Sequence, residues 1–581
     1  MKRVLLCLFV VPILWGAAQL RGEPASPAVS VPAIGQVVGD FTLKTNYGRE
    51  WTLSESSDKS VIAIVFLGTE CPLAKLYGPR LQQLQDEFED RGVQFVGINS
   101  NSQDSLTELT GYVQRHQIKF PMLKDIGNVV ADAMDARRTP EAFVLDQDRK
   151  IRYHGRIDDQ YGVGYSRDKV VHGELSDAIE DLLAGREVAK PQSKPIGCHI
   201  GRVKKNAVSG SVTYTRDVAP ILNARCVSCH REGEIAPFTL TSYDDILGWE
   251  DTIMEVIDDG RMPPWSANPA HGRFANDARL TQQEKDTVFA WIDGGMPKGD
   301  LADLPAPPEF TDGWQIPKPD QVLTMRDDPF QVPAEGVVDY QRFIVDPGWE
   351  TDKYIVAAEA RPENRSVVHH IVVYVLEPGA RRTDLRKVLA AYAPGSPPLV
   401  LPEGVAMKIR AGSKLLFEMH YTPNGTACTD LSYAGVSFTD ADSVEREMQG
   451  QVAINHRFRI PPQAKQHEVI AHYGSRRDQL LISMSPHMHL RGSAFRYEAR
   501  YPDGDTEILL DVPQYDFNWQ LKYVLETPKL LPKGTVVTCT ATYDNSPENL
   551  TNPDPTRTVS WGDQSWDEMM IGFMEFIPPK S

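Results

Sequence analysis

Hydrophobic and polar positions change rhythm three times along the chain. From about 35 to 190, apolar runs alternate with helically spaced stretches. Ser60 to Leu67 is a continuous apolar run suited to a buried strand, Leu76 to Glu89 has helical spacing, and Val93 to Ile98 forms a second strand. Ala142 to Asp146 followed by Ile151 to Tyr153 predicts a hairpin, and Glu174 to Leu183 a closing helix. Strand-helix-strand order implies an α/β sheet with crossover helices. From 206 to 302 the pattern is helical, with segments at Thr215 to Ala224, Trp249 to Asp258 and Thr281 to Ile292. A Pro-rich connection, Leu304 to Pro319, then gives way to short alternating strands and Pro or Gly turns. These include Val337 to Val345, Lys353 to Ala360, Val367 to Leu376, Lys414 to Tyr421, Val452 to Ile460, Leu480 to Ser485, Ala494 to Tyr501, Thr506 to Val512 and Thr535 to Tyr543. That is sequence for two all-β sandwiches, assigned to 320–455 and 456–578. The expected fold is multidomain: one α/β domain, one small all-α domain, then the two sandwiches.

Composition changes this picture little. A chain of 581 residues exceeds a single core, and 41% hydrophobic with 24% charged residues is ordinary for folded domains. The formal charge of -18, with no basic stripe, argues against a nucleic-acid partner. At the N-terminus Lys2 and Arg3 precede an apolar run from Val4 to Ala18, the form of a cleaved export signal over 1–22. A retained membrane anchor competes, since Trp15 and Leu20 extend the apolar stretch. Cys7 lacks the context for lipidation, and no later segment reaches membrane-spanning length. The expected location is periplasmic or extracellular. There Cys71, Cys198, Cys226, Cys229, Cys428 and Cys539 would meet an oxidising compartment.

Cys71 follows a strand and heads a helix, where backbone amides favour a thiolate. Thr139-Pro140 precedes the Ala142 strand. This arrangement, over 35–190, resembles the thioredoxin and peroxiredoxin superfamily, in which a cis-proline loop lies beside the active cysteine. The motif reads Cys71-Pro72-Leu73-Ala74, with alanine in place of a thioredoxin's second cysteine, and Thr69 stands two residues before Cys71 rather than the three of a peroxidase. Three readings stay open: a redox thiol at Cys71, a Cys71–Cys198 bridge, and a scaffold without thiol chemistry.

Cys226-Val227-Ser228-Cys229-His230 is the attachment motif for c-type haem. Two thiols add to the haem vinyl groups, and the adjacent imidazole reaches the iron. A disulfide or a zinc site competes, but only His271 offers itself as a further zinc ligand. Met262, in the proline-stiffened Arg261-Met262-Pro263-Pro264-Trp265, is the expected sixth ligand, with Met296 as the alternative. The stretch 206–302 resembles a small cytochrome c domain.

Eight of the 14 histidines fall in the β-rich module. His369-His370 lies on an apolar strand, His420 lies in Phe417-Glu418-Met419-His420-Tyr421, and His487 and His489 flank Met488. Strand alternation puts His487 and His489 on one face, whereas joint ligation by His369 and His370 needs a bulge. Imidazoles suit copper, zinc and iron, and a nearby thioether tilts the choice to copper. His116, His154, His172, His199 and His271 read as surface or capping groups, and His456, His467 and His472 as candidate supports of the ligands.

The module resembles the copper type II, ascorbate-dependent monooxygenases, the family of peptidylglycine α-hydroxylating and dopamine β-monooxygenases. The resemblance implies two coppers in two sandwiches across a cleft. His369, His370 and His420 would hold the first copper, an electron store. His487, His489 and Met569, from Asp567-Glu568-Met569, would hold the second, where dioxygen meets a small-molecule C–H bond. Ascorbate or another one-electron donor would supply electrons, with a redox partner protein as a further source and the haem as relay. The residues that grip a peptide carboxylate in that family are replaced here by Ser485, Ile571 and Phe573, which implies a less charged pocket. The family's disulfides are reduced to Cys428 and Cys539 at most. Two rival functions are electron transfer or copper handling without oxygenase turnover, and thiol-disulfide or peroxide chemistry at Cys71.

Overall fold

A computed structural model describes residues 34–580 except 168, 204–209, 311–312, 335–337 and 424–425. The expected export signal at 1–22 lies outside these residues. Among them, no helix is long and apolar enough to cross a membrane.

The first domain is built on a seven-stranded sheet in the order Glu50–Thr52, Thr42–Thr45, Met122–Lys124, Val93–Asn99, Val61–Phe66, Glu141–Leu145 and Ile151–Gly155. Val61–Phe66 runs parallel to Val93–Asn99 and antiparallel to Glu141–Leu145. All six of its residues are buried, because both faces of the sheet are covered. Helix Pro72–Phe88 lays Leu73, Tyr77, Leu81, Leu84 and Phe88 on one face against the sheet. Glu174–Leu183 closes the same side. Two helices go beyond the sequence reading, Leu106–Arg115 and Val129–Ala133. His116 is buried but stands at the C-terminal cap of Leu106–Arg115, within the surface-or-capping expectation, whereas His154 corrects it: it is buried on a strand, Nε2 lying 2.5 Å from Glu141 Oε1.

Three principal helices, Ala219–Arg225, Glu250–Asp258 and Gln282–Asp293, pack around Trp249 and Trp291. The segment after them in space is unusual. Residues 265–276 leave this helical unit and add to the second sandwich, where Ala275 N donates to Val524 O (2.8 Å) and Glu526 N to Arg273 O (3.0 Å). Ala267 and Phe274 are buried in that sandwich's core.

In the first sandwich, a sheet containing Gln321–Thr324, Tyr433–Thr439, Lys353–Arg361 and Val405–Ile409 shares a core with the sheet Gln341–Val345, Lys414–Tyr421, Val368–Leu376 and Val388–Tyr392. In the second, Gln449–Ile454, Ile571–Ile577, Gln479–His487 and Tyr523–Leu531 pack on His467–Gly474, Val536–Tyr543, Gly492–Arg500 and Thr506–Val512. Burial alternates residue by residue along Val536–Tyr543, the period of a strand with one face in the core. Gln449–Ile454 pairs with Ile571–Ile577, so the second sandwich takes up this strand from before the expected boundary at 455. The pairing of Cys428 with Cys539 is not formed. Both are free thiols, Cys539 fully buried in the second core and Cys428 packed on the first.

Candidate metal centres and a buried thiol pair

The strands Val368–Leu376 and Lys414–Tyr421 are antiparallel neighbours, with His370 directly opposite His420. Their register shifts between Val368 and His370, leaving His369 as the extra residue of a bulge. The break brings both adjacent imidazoles to one side. His369, His370 and His420 each offer a ring nitrogen within 4.8 Å of the others. His369 Nδ1 lies 3.2 Å from His370 Nδ1. Burial, together with the neighbouring imidazoles, holds His370 and His420 well below the ordinary histidine pKa, and burial lowers His369. Neutral imidazole is the metal-binding form. Among the described residues His420 Nδ1 is buried with no hydrogen-bond partner, a costly arrangement that a cation would relieve. The donor set fits a metal that favours imidazole.

His487 ends the strand Gln479–His487, and His489 follows just beyond it. Met488 between them is fully buried in the core, while both histidines line a cavity of about 700 Å³. Their rings stand 5.3 Å apart at 87°. Met569 lines the same cavity, whereas Met570 is fully buried in the core. Two imidazoles plus a thioether suit copper. His370 lines this cavity as well, so both clusters open on one space.

The sequence reading missed the groups that hold these imidazoles. Tyr340 stacks on His420 (4.8 Å, 15°), and Phe517 stacks on His369 (5.0 Å, 18°). Phe517 also lies 5.9 Å from the His489 ring, placing one aromatic side chain between the two clusters. From the same loop, Gln520 Oε1 accepts from His487 Nδ1 at 2.7 Å, and Asn518 Oδ1 lies 3.4 Å from His369 Nε2. A hydrogen bond to Nδ1 fixes the tautomer and leaves Nε2 of His487 free as a donor to metal. The only sequence signal was the dense run Asp516-Phe517-Asn518-Trp519-Gln520. His456, expected as a support, packs on Trp561 (4.2 Å) at the cavity wall.

Cys226 and Cys229 sit in the turn after Ala219–Arg225, where His230 N donates to Cys226 O (2.9 Å). His230 Nδ1 donates to Phe238 O at 3.0 Å, which frees Nε2 to ligate iron. These residues fit covalent haem. Met262 is half-buried on the loop after Glu250–Asp258, its amide donating to Val256 O (2.9 Å), and Met296 is buried in the helical core. Glu234, in the loop after the motif, pairs with Arg365 (3.0 Å), four residues before His369.

Cys71 caps helix Pro72–Phe88 and is fully buried beside the cis Thr139-Pro140 bond. Strand Cys198–His199 pairs antiparallel with Arg138–Thr139, setting Cys198 opposite Thr139 and in contact with Cys71. Cys71 Sγ lies 2.9 Å from the Thr139 carbonyl, a contact available to the protonated thiol alone. Burial also pushes the thiol up, yet contacts with Cys198, Thr139 and the Ala74 backbone outweigh both and bring it to about 6. Hydrogen bonding to Cys71 and burial push Cys198 the other way. The thiolate of Cys71 is therefore half-formed near pH 6. Its oxidation by hydrogen peroxide, followed by mass spectrometry, should rise through pH 6 and level off by about pH 7, where an ordinary thiol near 8.5 is still rising.

Residues 34–154 match the AhpC/TSA family. Over 128 residues the chain is 27% identical to the thiol-disulfide oxidoreductase ResA of Halalkalibacterium halodurans, covering 22% of this chain and 68% of the relative. The ResA of Bacillus subtilis is 26% identical over 117 residues, 20% of this chain and 64% of the relative. Among solved structures, a hypothetical protein of Sinorhizobium meliloti is 30% identical, covering 30% of this chain and 97% of its own, with a TM-score of 0.28. The sheet order, the cysteine at the helix N-terminus, the adjacent cis-proline and these sequence matches lead to one assignment: the N-terminal unit is a thioredoxin/peroxiredoxin-like domain of the AhpC/TSA family.

Proposed function

We propose that this chain is an exported, copper-dependent monooxygenase that hydroxylates a C–H bond of a small molecule with O2. The observation that carries the reading is the cavity lined by His370 from one sandwich and by His487, His489 and Met569 from the other. When bound, copper would supply dioxygen activation at His487, His489 and Met569 and electron storage at His369, His370 and His420, with ascorbate or another one-electron donor as reductant.

The protein's own part is positioning. Gln520 and Phe517 fix ring orientation, and burial keeps the imidazoles neutral. The cavity also includes Ser485, Ile571 and Phe573, so no charged group stands at these three positions to grip a carboxylate. Arg342 is paired with Glu418 (2.7 Å) and Lys522 with Glu575 (2.7 Å), which offsets two cations of the wall, while Arg382 and Arg386 line it as well. Ascorbate-driven oxygen uptake that requires added copper and both clusters tests the reading.

A c-type haem held by Cys226, Cys229, His230 and Met262 would supply one-electron transfer when bound. The Glu234–Arg365 pair fastens its attachment loop to the turn before the strand that carries His369, which favours the all-imidazole cluster as the receiving site. The exported protein should keep haem peroxidase staining after boiling in SDS, and Cys226→Ser with Cys229→Ser should abolish it. Staining lost from the unmodified chain would remove the covalent haem.

A second reading, thiol-disulfide or peroxide oxidoreductase, is favoured by the AhpC/TSA match and the lowered thiol of Cys71. The two are compatible if the thiol domain serves the copper module or a redox partner protein.

A further inference from the structure

Cys198 lies outside the stretch matched to the AhpC/TSA family, which ends at 154. It reaches Cys71 because the segment that follows the domain folds back along the cis-proline loop. Ile200 N donates to Arg137 O (2.8 Å) and the Arg138 guanidinium to Gly197 O (2.7 Å), and Cys198–His199 pairs with Arg138–Thr139 as a separate two-stranded ladder. Gly197 permits the approach: a Cβ there would fall 2.0 Å from the Thr139 carbonyl oxygen. From the other side His199 Nε2 meets Glu255 at 2.5 Å and His199 N donates to Thr252 (3.1 Å), both on helix Glu250–Asp258. Glu255 also pairs with Arg138 (2.7 Å). Cys198 is thus clamped between two domains and packs against both of their cores.

The two residues differ in exposure. Cys71 has no exposed surface, while Cys198 is half-buried. The geometry points to Cys71 and Cys198 as a reversible disulfide pair in which an incoming thiol reacts at Cys198 and Cys71 is the sulfur released. This rests on the second reading above and supplies the thiol that Ala74 does not.

In the oxidised pair, a small thiolate attacks Cys198 Sγ. The new S–S bond forms as the Cys71–Cys198 bond breaks, and the electron pair leaves with Cys71 as thiolate. A second thiolate attacks the first reagent's sulfur, releasing a symmetric disulfide and Cys198, which takes up a proton. Two reagent thiols are oxidised to one disulfide while one protein disulfide is reduced to two thiols. The direction agrees with the electrostatics: Cys71, held near 6, is the better leaving group, and Cys198, pushed up, the poorer one.

The test uses the full chain, treated with oxidised glutathione, pulsed with reduced glutathione, quenched in acid and mapped by peptide mass. The expected result is a Cys71–Cys198 crosslink before the pulse and glutathione on Cys198 after it. In Cys71→Ser the internal crosslink should be absent after the same treatment, and a pulse of reduced glutathione should find no protein disulfide to open. Cys71→Ala provides the same comparison if the serine variant does not fold. Glutathione on Cys71 with Cys198 unmodified would overturn the order of attack while leaving thiol chemistry at Cys71 standing. Absence of both the crosslink and any adduct in the folded protein would overturn the pair and the second reading together.

Discussion

Replacing Met569 by alanine should abolish ascorbate-driven oxygen uptake while leaving copper at the three-histidine cluster. Met569 is half-buried and lines the cavity with His487 and His489, whereas Met570 faces the core and is fully buried. Removing groups that merely orient ligands costs 10–100-fold in comparable metal sites, so losing a ligand should lower turnover by at least about 100-fold. Met570→Ala is the control. It should cost about 2–5 kcal/mol of stability through a core cavity, yet leave copper content unchanged. Equal oxygen uptake by Met569→Ala and the unmodified protein, both loaded with copper, would exclude Met569 as a ligand.

The second large effect is expected at Glu568, which has no exposed surface. Its two oxygens accept from the amides of His489 (2.8 Å) and Arg491 (2.6 Å), tying the loop that carries His489 to the segment that carries Met569. Burial pushes its carboxyl up to about 8, against those amides and the nearby Arg491 charge. Arg491 is itself fully buried, held by Asn545 (2.9 Å) and the Trp566 carbonyl (2.9 Å). Alanine at 568 strips acceptors from two buried amides and a neighbour from a buried guanidinium, a loss of about 3–5 kcal/mol. Glutamine keeps one amide acceptor and should cost about 1–3 kcal/mol. Thermal unfolding of Glu568→Ala and Glu568→Gln would show that order. Equal melting of both with the unmodified chain would mean Glu568 does not hold the loop.

What could be read in the sequence was local. The period of two places Met488 in the core and His487 and His489 in the cavity, and the adjacency of His369 and His370 demanded the bulge that the strand contains. Cys71 at the head of its helix followed from the strand before it. What could not be read depends on where distant segments return. Phe517 and Gln520 reach the imidazoles from a loop between strands, and Tyr340 stacks on His420 from a strand entrance, with no spacing to announce either. Cys198 meets Cys71 because the linker pairs with the short strand Arg138–Thr139 beside the cis-proline. His154 was read as a surface or capping group, but its hairpin partner strand supplies Phe143 and Glu141 and buries it. Helix Leu106–Arg115 is short and partly polar, and its one local signal is the reciprocal Ser105–Glu108 cap. The strand Gln449–Ile454 crossed the expected boundary because sheet partners, not turn residues, decide which sandwich owns it.

The most direct test of the copper reading is metal content of the full chain after anaerobic titration with Cu(I), removal of excess metal, and mass spectrometry of bound copper. Two coppers per chain are expected, falling to one in His369→Ala/His420→Ala and to one in His487→Ala/Met569→Ala. A single copper, or none, in the folded unmodified chain would contradict the two-site account.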